Sequence, residues 1–126
     1  MNPSDLARYV GAAPTWLAQV PVSSVTDNPA NDAVLADTSG LEAGVFDIFA
    51  FVSNSAAVGA YKLMFDHRDA TNTTNIARLD LQLPANSYTP IYLYGIKVAV
   101  GERFRFFVSV GWTGRVSAMI YAIRRV

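Results

Sequence analysis

Cysteine is absent from the chain and histidine occurs once, at His67. Disulfides and thiolate metal sites are therefore excluded, and the redox compartment stays open. A Ser-His-Asp arrangement or a histidine-built metal site has that single imidazole to recruit. Charge is scarce too, at 16% of residues against the ~25% usual in soluble domains. Ten basic and ten acidic residues cancel, and neither sign forms a block. This argues against a nucleic-acid footprint, which needs clustered cations to neutralise phosphates, and against electrostatic attachment to an anionic membrane. No window approaches a membrane span, and the first 22 residues, with Asp5 and Pro14 among them, lack the basic head and apolar run of a signal peptide.

A chain of 126 residues makes one domain. Small domains have proportionally more surface to cover, so the low charge count predicts that part of it is covered in an oligomer or a docked assembly. A neutral Ser/Thr/Asn surface on a monomer is the alternative.

What is present is β-pattern. The closing stretch Ile96–Val126 contains three β-branched and aromatic runs parted by Gly101-Glu102 and by Gly111-Trp112-Thr113-Gly114, which predicts three adjacent antiparallel strands. Residues 1–31 carry Pro3, Pro14, Pro21 and Pro29, which disfavours helices and central strands. We read this part as an extended arm with a short helix over Ser4–Val10 and one edge strand near Thr15–Val22, lying on a neighbour or along its own sandwich. The 32–126 domain follows. Asp27–Asp32 is a turn cluster, Ala33–Asp37 a short strand, and Leu41–Ser53 a strand apolar on both parities, whose second face marks a candidate subunit contact. Ala60–His67 and Ile76–Leu83 alternate, while Tyr88–Tyr94 is interrupted by Pro90, which suits an edge or bulge. About eight strands result, so the fold class is all-β: a single antiparallel β-sandwich, read as a jelly roll, with an immunoglobulin-like sandwich also compatible.

Chemistry-bearing groups are few. His67 stands among Asp66, Arg68 and Asp69, a polar cluster more than a base or metal site, and the His-Arg-Asp run lacks the asparagine a kinase loop would place at Thr74. Asp47 lies in an otherwise apolar run, where a carboxylate requires a partner such as an arginine or a loop backbone. Asn72-Thr73-Thr74 has the form of a glycosylation acceptor but follows no secretory signal. Trp112, at the tip of the last hairpin, is a candidate ligand or partner contact, or else an aromatic folded back over the sandwich end. Trp16, Asp47, Tyr92 and Tyr94 complete the candidate contacts. No catalytic residues, metal or cofactor are expected.

The Pro-rich arm, the strand count, the lack of cysteine and the ending Gly101-Glu102-Arg103-Phe104-Arg105-Phe106-Phe107-Val108, then Gly114 to Tyr121, resemble the small jelly-roll virion proteins of tailed bacteriophages, especially capsid decoration or cement proteins. The resemblance spans roughly Leu41–Val126 and rests on strand spacing and the closing hairpin, so it transfers no individual residue. It implies a non-catalytic virion protein on the capsid surface, a dimer or trimer docked on the major capsid protein or another virion protein, its arm clamping a neighbour. The rival expectation is a carbohydrate-binding sandwich with Trp112, Tyr92 and Tyr94 as stacking platforms; a hydrolase ranks third.

Overall fold

In a computed structural model, which describes residues 18–56 and 61–125, the alternating runs form eight strands and no helix. They are β1 (Ala18–Asp27), β2 (Ala33–Leu35), β3 (Gly44–Asn54), β4 (Tyr61–Arg68), β5 (Asn75–Leu83), β6 (Ser87–Val98), β7 (Arg103–Val108) and β8 (Arg115–Arg124). Of the expected arm, the helix over Ser4–Val10 and Trp16 lie outside the described residues. Its later part is β1, a ten-residue strand paired along its whole length with β8.

One sheet has the order β1-β8-β3-β6 and the other β2-β7-β4-β5, with every ladder antiparallel. That is the strand order of an eight-stranded jelly roll. Among the described strands, β4 and β5 alone are sequence neighbours that pair with each other; every other connection crosses between the sheets.

The expected hairpin of the closing strands is therefore corrected. Ile96–Val98 is the end of β6, β7 lies in the opposite sheet between β2 and β4, and β8 returns to lie between β1 and β3. A short Gly-containing break serves an in-sheet reversal and a crossing equally well, so local pattern does not separate them. Gly95 forms a bulge inside β6. Phe46 pairs with Ile96 but Ile48 with Leu93, so Asp47 faces the two residues Tyr94 and Gly95. Gly95 takes the left-handed φ of 66° that this bulge requires.

Alternation carries apolar side chains inward. From β3 these are Phe46, Ile48, Ala50 and Val52, from β7 Phe104, Phe106 and Val108, and from β8 Val116, Ala118, Ile120 and Ala122, all buried. Fully burying each large side chain here is worth about 1.5–3 kcal/mol relative to exposure. Pro21 and Pro90 fall in β1 and β6, the two edges of one sheet, where a missing N–H can face away from the ladder. The Asp27–Asp32 turn uses left-handed residues at Asn28 and Asp32, and it locks to the loop before β8: Asn28 N–H donates to Gly114 O at 2.7 Å and Trp112 N–H to Pro29 O at 3.1 Å.

Candidate functional site

The register of the β1-β8-β3-β6 sheet lines up its outward residues in three rows. Pro21, Tyr121, Phe49 and Tyr92 form one; Ser23, Met119, Phe51 and Pro90 the next; Val25, Ser117, Ser53 and Tyr88 the third. None of the twelve is charged. Among the described residues, ion pairs on this face stand only at its margins, Asp27–Arg115 at one end and Asp47–Arg125 at the other.

The face is open to solvent. Tyr88 is 68% exposed, Tyr94 62%, Val25 66% and Tyr92 51%, large values for side chains that gain free energy by leaving water. Phe49 is half-buried between two tyrosines, edge-on to Tyr92 at 5.7 Å and to Tyr94 at 5.8 Å between ring centroids. Such contacts hold the rings in place before any partner arrives. The Tyr121 hydroxyl donates to Gln19 Oε1, which orients that ring as well. Across the second and third rows runs a shallow groove of about 440 Å³ lined by Ser23, Val25, Phe51, Tyr88, Ser117 and Met119 among others.

The sequence candidates divide. Tyr92 and Tyr94 stand together on this face because they are two apart on one strand. Asp47 sits at its margin, buried, with both oxygens engaged: Gly95 N–H donates to Oδ1 at 3.0 Å and Arg125 Nε to Oδ2 at 2.8 Å. That is the arginine-plus-backbone pairing expected of a carboxylate in an apolar strand. Trp16 lies outside the described residues.

Trp112 is corrected as a surface platform. It is 7% exposed and stacks on Tyr61 with centroids 4.8 Å apart and planes 12° from parallel, closing the end of the sandwich. The loop carrying it crosses between sheets and does not project from a hairpin, so the ring falls over the core opening.

The cluster around His67 also separates, because consecutive strand residues face opposite ways. His67 points between the sheets, its Nε2 2.9 Å from Glu102 Oε1 and its ring stacked on Phe104 at 4.5 Å. Asp66 points to the other side of the same sheet, and Asp69 binds its own loop, accepting from Thr74 Oγ1 at 2.6 Å and Thr73 N–H at 2.8 Å. Among the described residues, no three His, Asp or Glu side chains gather where they could hold a metal ion.

Phe49, Phe51, Met119 and Val25 were missed as members of a site. The apolar second parity of β3 was the signal for the phenylalanines; Met119 and Val25 join only through the register of β8 and β1.

No family model matches the chain, and no curated protein matches it in sequence. Among solved structures, the carbohydrate-binding module CBM1 of BiXyn10A, in its apo form, superposes with a TM-score of 0.51 at 11% identity, covering 89% of this chain and 99% of that one. The vertex protein P5 of PRD1 gives a TM-score of 0.47 at 11% identity, covering 82% of this chain and 96% of that one. The first likeness is one of fold, and the β-sandwich described above is what the two proteins share.

Proposed function

We propose that the protein is a non-catalytic assembly protein that oligomerises and docks through the uncharged aromatic face of the β1-β8-β3-β6 sheet. The observation that carries this is the three-row face itself, twelve aligned positions without a charge in a chain that has charges to place elsewhere. Solvated sheet faces alternate polar residues outward, whereas interface centres are depleted of charge and rich in Tyr, Phe and Met. A standard interface buries about 800 Å² per partner, and each Å² of apolar surface removed from water gives roughly 25 cal/mol before the costs of association. The setting we assign is a phage shell, with this protein as a decoration or cement subunit bound to a capsid protein. That assignment follows the resemblance of the closing strands, and the docking face supports it by offering contact area without chemistry.

Light scattering over a dilution series tests the reading, comparing the wild-type chain with Met119→Glu. The wild type is expected to hold a dimer or trimer, and the variant, with a charge in the middle row, to be monomeric yet folded. A wild-type chain that is monomeric at every concentration overturns self-assembly through this face.

A second reading has its own observation. Tyr88, Tyr92 and Tyr94 form a row of exposed rings along an edge strand, beside the hydroxyls of Ser23, Ser53 and Ser117, and such rings stack on sugars. In that case the protein is a carbohydrate-binding module. Tyr92→Ala would then abolish retention on glycan columns while leaving the oligomeric state unchanged.

A further inference from the structure

The two sheets end in four edge strands, and three of these are blunted. β1 carries Pro21, β6 carries Pro90 and the Gly95 bulge, and β2 is three residues long. Proline, bulges and short length keep the free N–H and C=O groups of a sheet edge from pairing with another chain. β5 has none of these devices over Ala77–Leu83, which pairs with β4 in unbroken register; its one irregularity, at Ile76, lies near its start. Among the described strands, none covers its outer side.

The first six residues of β5 are all exposed. Leu79 has the parity of the core, opposite Phe65, and is nevertheless 42% exposed. The reason is that β5 and β6 are edges of opposite sheets, and the margin between them stands open as an apolar cleft of about 250 Å³ lined by Phe65, His67, Ala77, Leu79, Leu93 and Ile96 among others.

β5 is also complementary to itself. When two antiparallel copies meet about a two-fold axis, opposite residues share a face, so the axis must pass through a residue. An axis at Arg78 or at Asp80 sets like charges directly opposite, which is destabilising. Axes at Ala77 or Leu81 leave both charges facing neutral residues. An axis at Leu79 sets Leu79 against Leu79 and Ala77 against Leu81 on the inner side, and on the outer side sets Arg78 against Asp80 of the other copy, twice. Both groups have capacity for this: Arg78 uses Nε and Nη2 on Asp66, leaving Nη1, and Asp80 makes only an exposed contact with Lys62 at 3.9 Å.

We infer that β5 pairs with β5 of a second copy, antiparallel about Leu79, joining two β2-β7-β4-β5 sheets into one of eight strands and covering the mouth of the marginal cleft. The inference does not rest on the aromatic face, which belongs to the other sheet. One strand edge buries less than the ~1,200 Å² total of stable interfaces, so the contact is weak in dilute solution and forms where subunits are crowded. Together with the aromatic face it gives each subunit two different self-contacts, enough to link copies into rows.

The test is sedimentation of Met119→Glu, in which the aromatic face is disabled, from about 10 μM to about 1 mM, the range in which a weak contact populates. A monomer at the low end and a dimer at the high end are expected, with amide exchange of Ala77–Leu81 slowed only at the high end. Adding Asp80→Lys, which turns two attractions into two repulsions, should weaken the dimer about tenfold or more. Asp32→Lys, the same change of charge at an exposed turn, should leave it within about twofold. Thermal melts establish that each variant is folded. A Met119→Glu chain that is monomeric at about 1 mM overturns the proposal, as does a dimer that Asp80→Lys leaves intact or that Asp32→Lys weakens equally. Met119→Glu already dimeric at about 10 μM and dispersed by Asp80→Lys supports the edge contact and overturns the aromatic face instead.

Discussion

Asp47 and Arg125 are bonded on the margin of the aromatic face, Arg125 Nε donating to Asp47 Oδ2 at 2.8 Å across 78 residues of sequence. The other carboxylate oxygen accepts Gly95 N–H, so one side chain pins both the chain end and the β6 bulge. Asp47→Ala should cost about 1–3 kcal/mol, the range for a hydrogen-bonded charge whose arginine can turn to water. Urea denaturation gives the number; a variant as stable as the wild type would mean that β6 holds its bulge unaided.

Removing Asp66 should cost more. Its carboxylate is buried between Arg78 and Arg105, so Asp66→Ala leaves two cations facing one another. Breaking a buried pair by deleting one partner typically costs about 3–5 kcal/mol. Adding Arg105→Leu should recover part of that loss, and a double-mutant cycle measures how much.

The closed end of the sandwich should be intolerant of a single methyl group. A Cβ built on Gly111 would stand 2.2 Å from the carbonyl oxygen of Pro29 and 2.9 Å from the carbonyl carbon of Ala30, backbone that cannot turn aside. Gly111→Ala should destabilise by about 2 kcal/mol or more, whereas Trp112→Ala, deleting the ring on Tyr61, should cost about 3–5 kcal/mol. Thermal melts compare the two, and neither change should alter an oligomer held by the aromatic face, whose twelve positions include neither residue.

Acid should weaken the fold through two surface carboxylates. Hydrogen bonds from Thr74 Oγ1 and Thr73 N–H hold Asp69 far below its ordinary value of 3.8. The Arg115 hydrogen bond and charge lower Asp27 in the same direction. Both carboxyls bind protons more weakly folded than unfolded, so their contribution is present at neutral pH and fades as pH falls below about 4 toward the folded values. Asp69→Asn should flatten the dependence of the urea midpoint on pH in that range; an unchanged slope would place acid sensitivity elsewhere.

Residue order alone determined the class of fold. Alternation in Tyr61–Phe65 and Ala77–Leu83, glycines and Asn/Asp at the breaks, and prolines where edges fall are local properties, set by a side-chain period of two and by backbone sterics, and they place most strands within a few residues of where they lie. The second apolar parity of Val45–Val52 likewise marked an apolar outer side of that strand before any neighbouring strand was known. What tertiary structure decided is everything that depends on which strand lies beside which. A crossing and a hairpin need the same short loop, so Arg103–Val108 could leave its sequence neighbours for the opposite sheet without any local sign. Register then assembled Val25, Met119, Phe51 and Tyr88 into one uncharged face and brought Arg68, Arg78, Arg103 and Arg105 around Asp66 on the other. Trp112 followed the same rule: the loop looked exposed in one dimension, and the open end of a two-sheet core drew its ring inside.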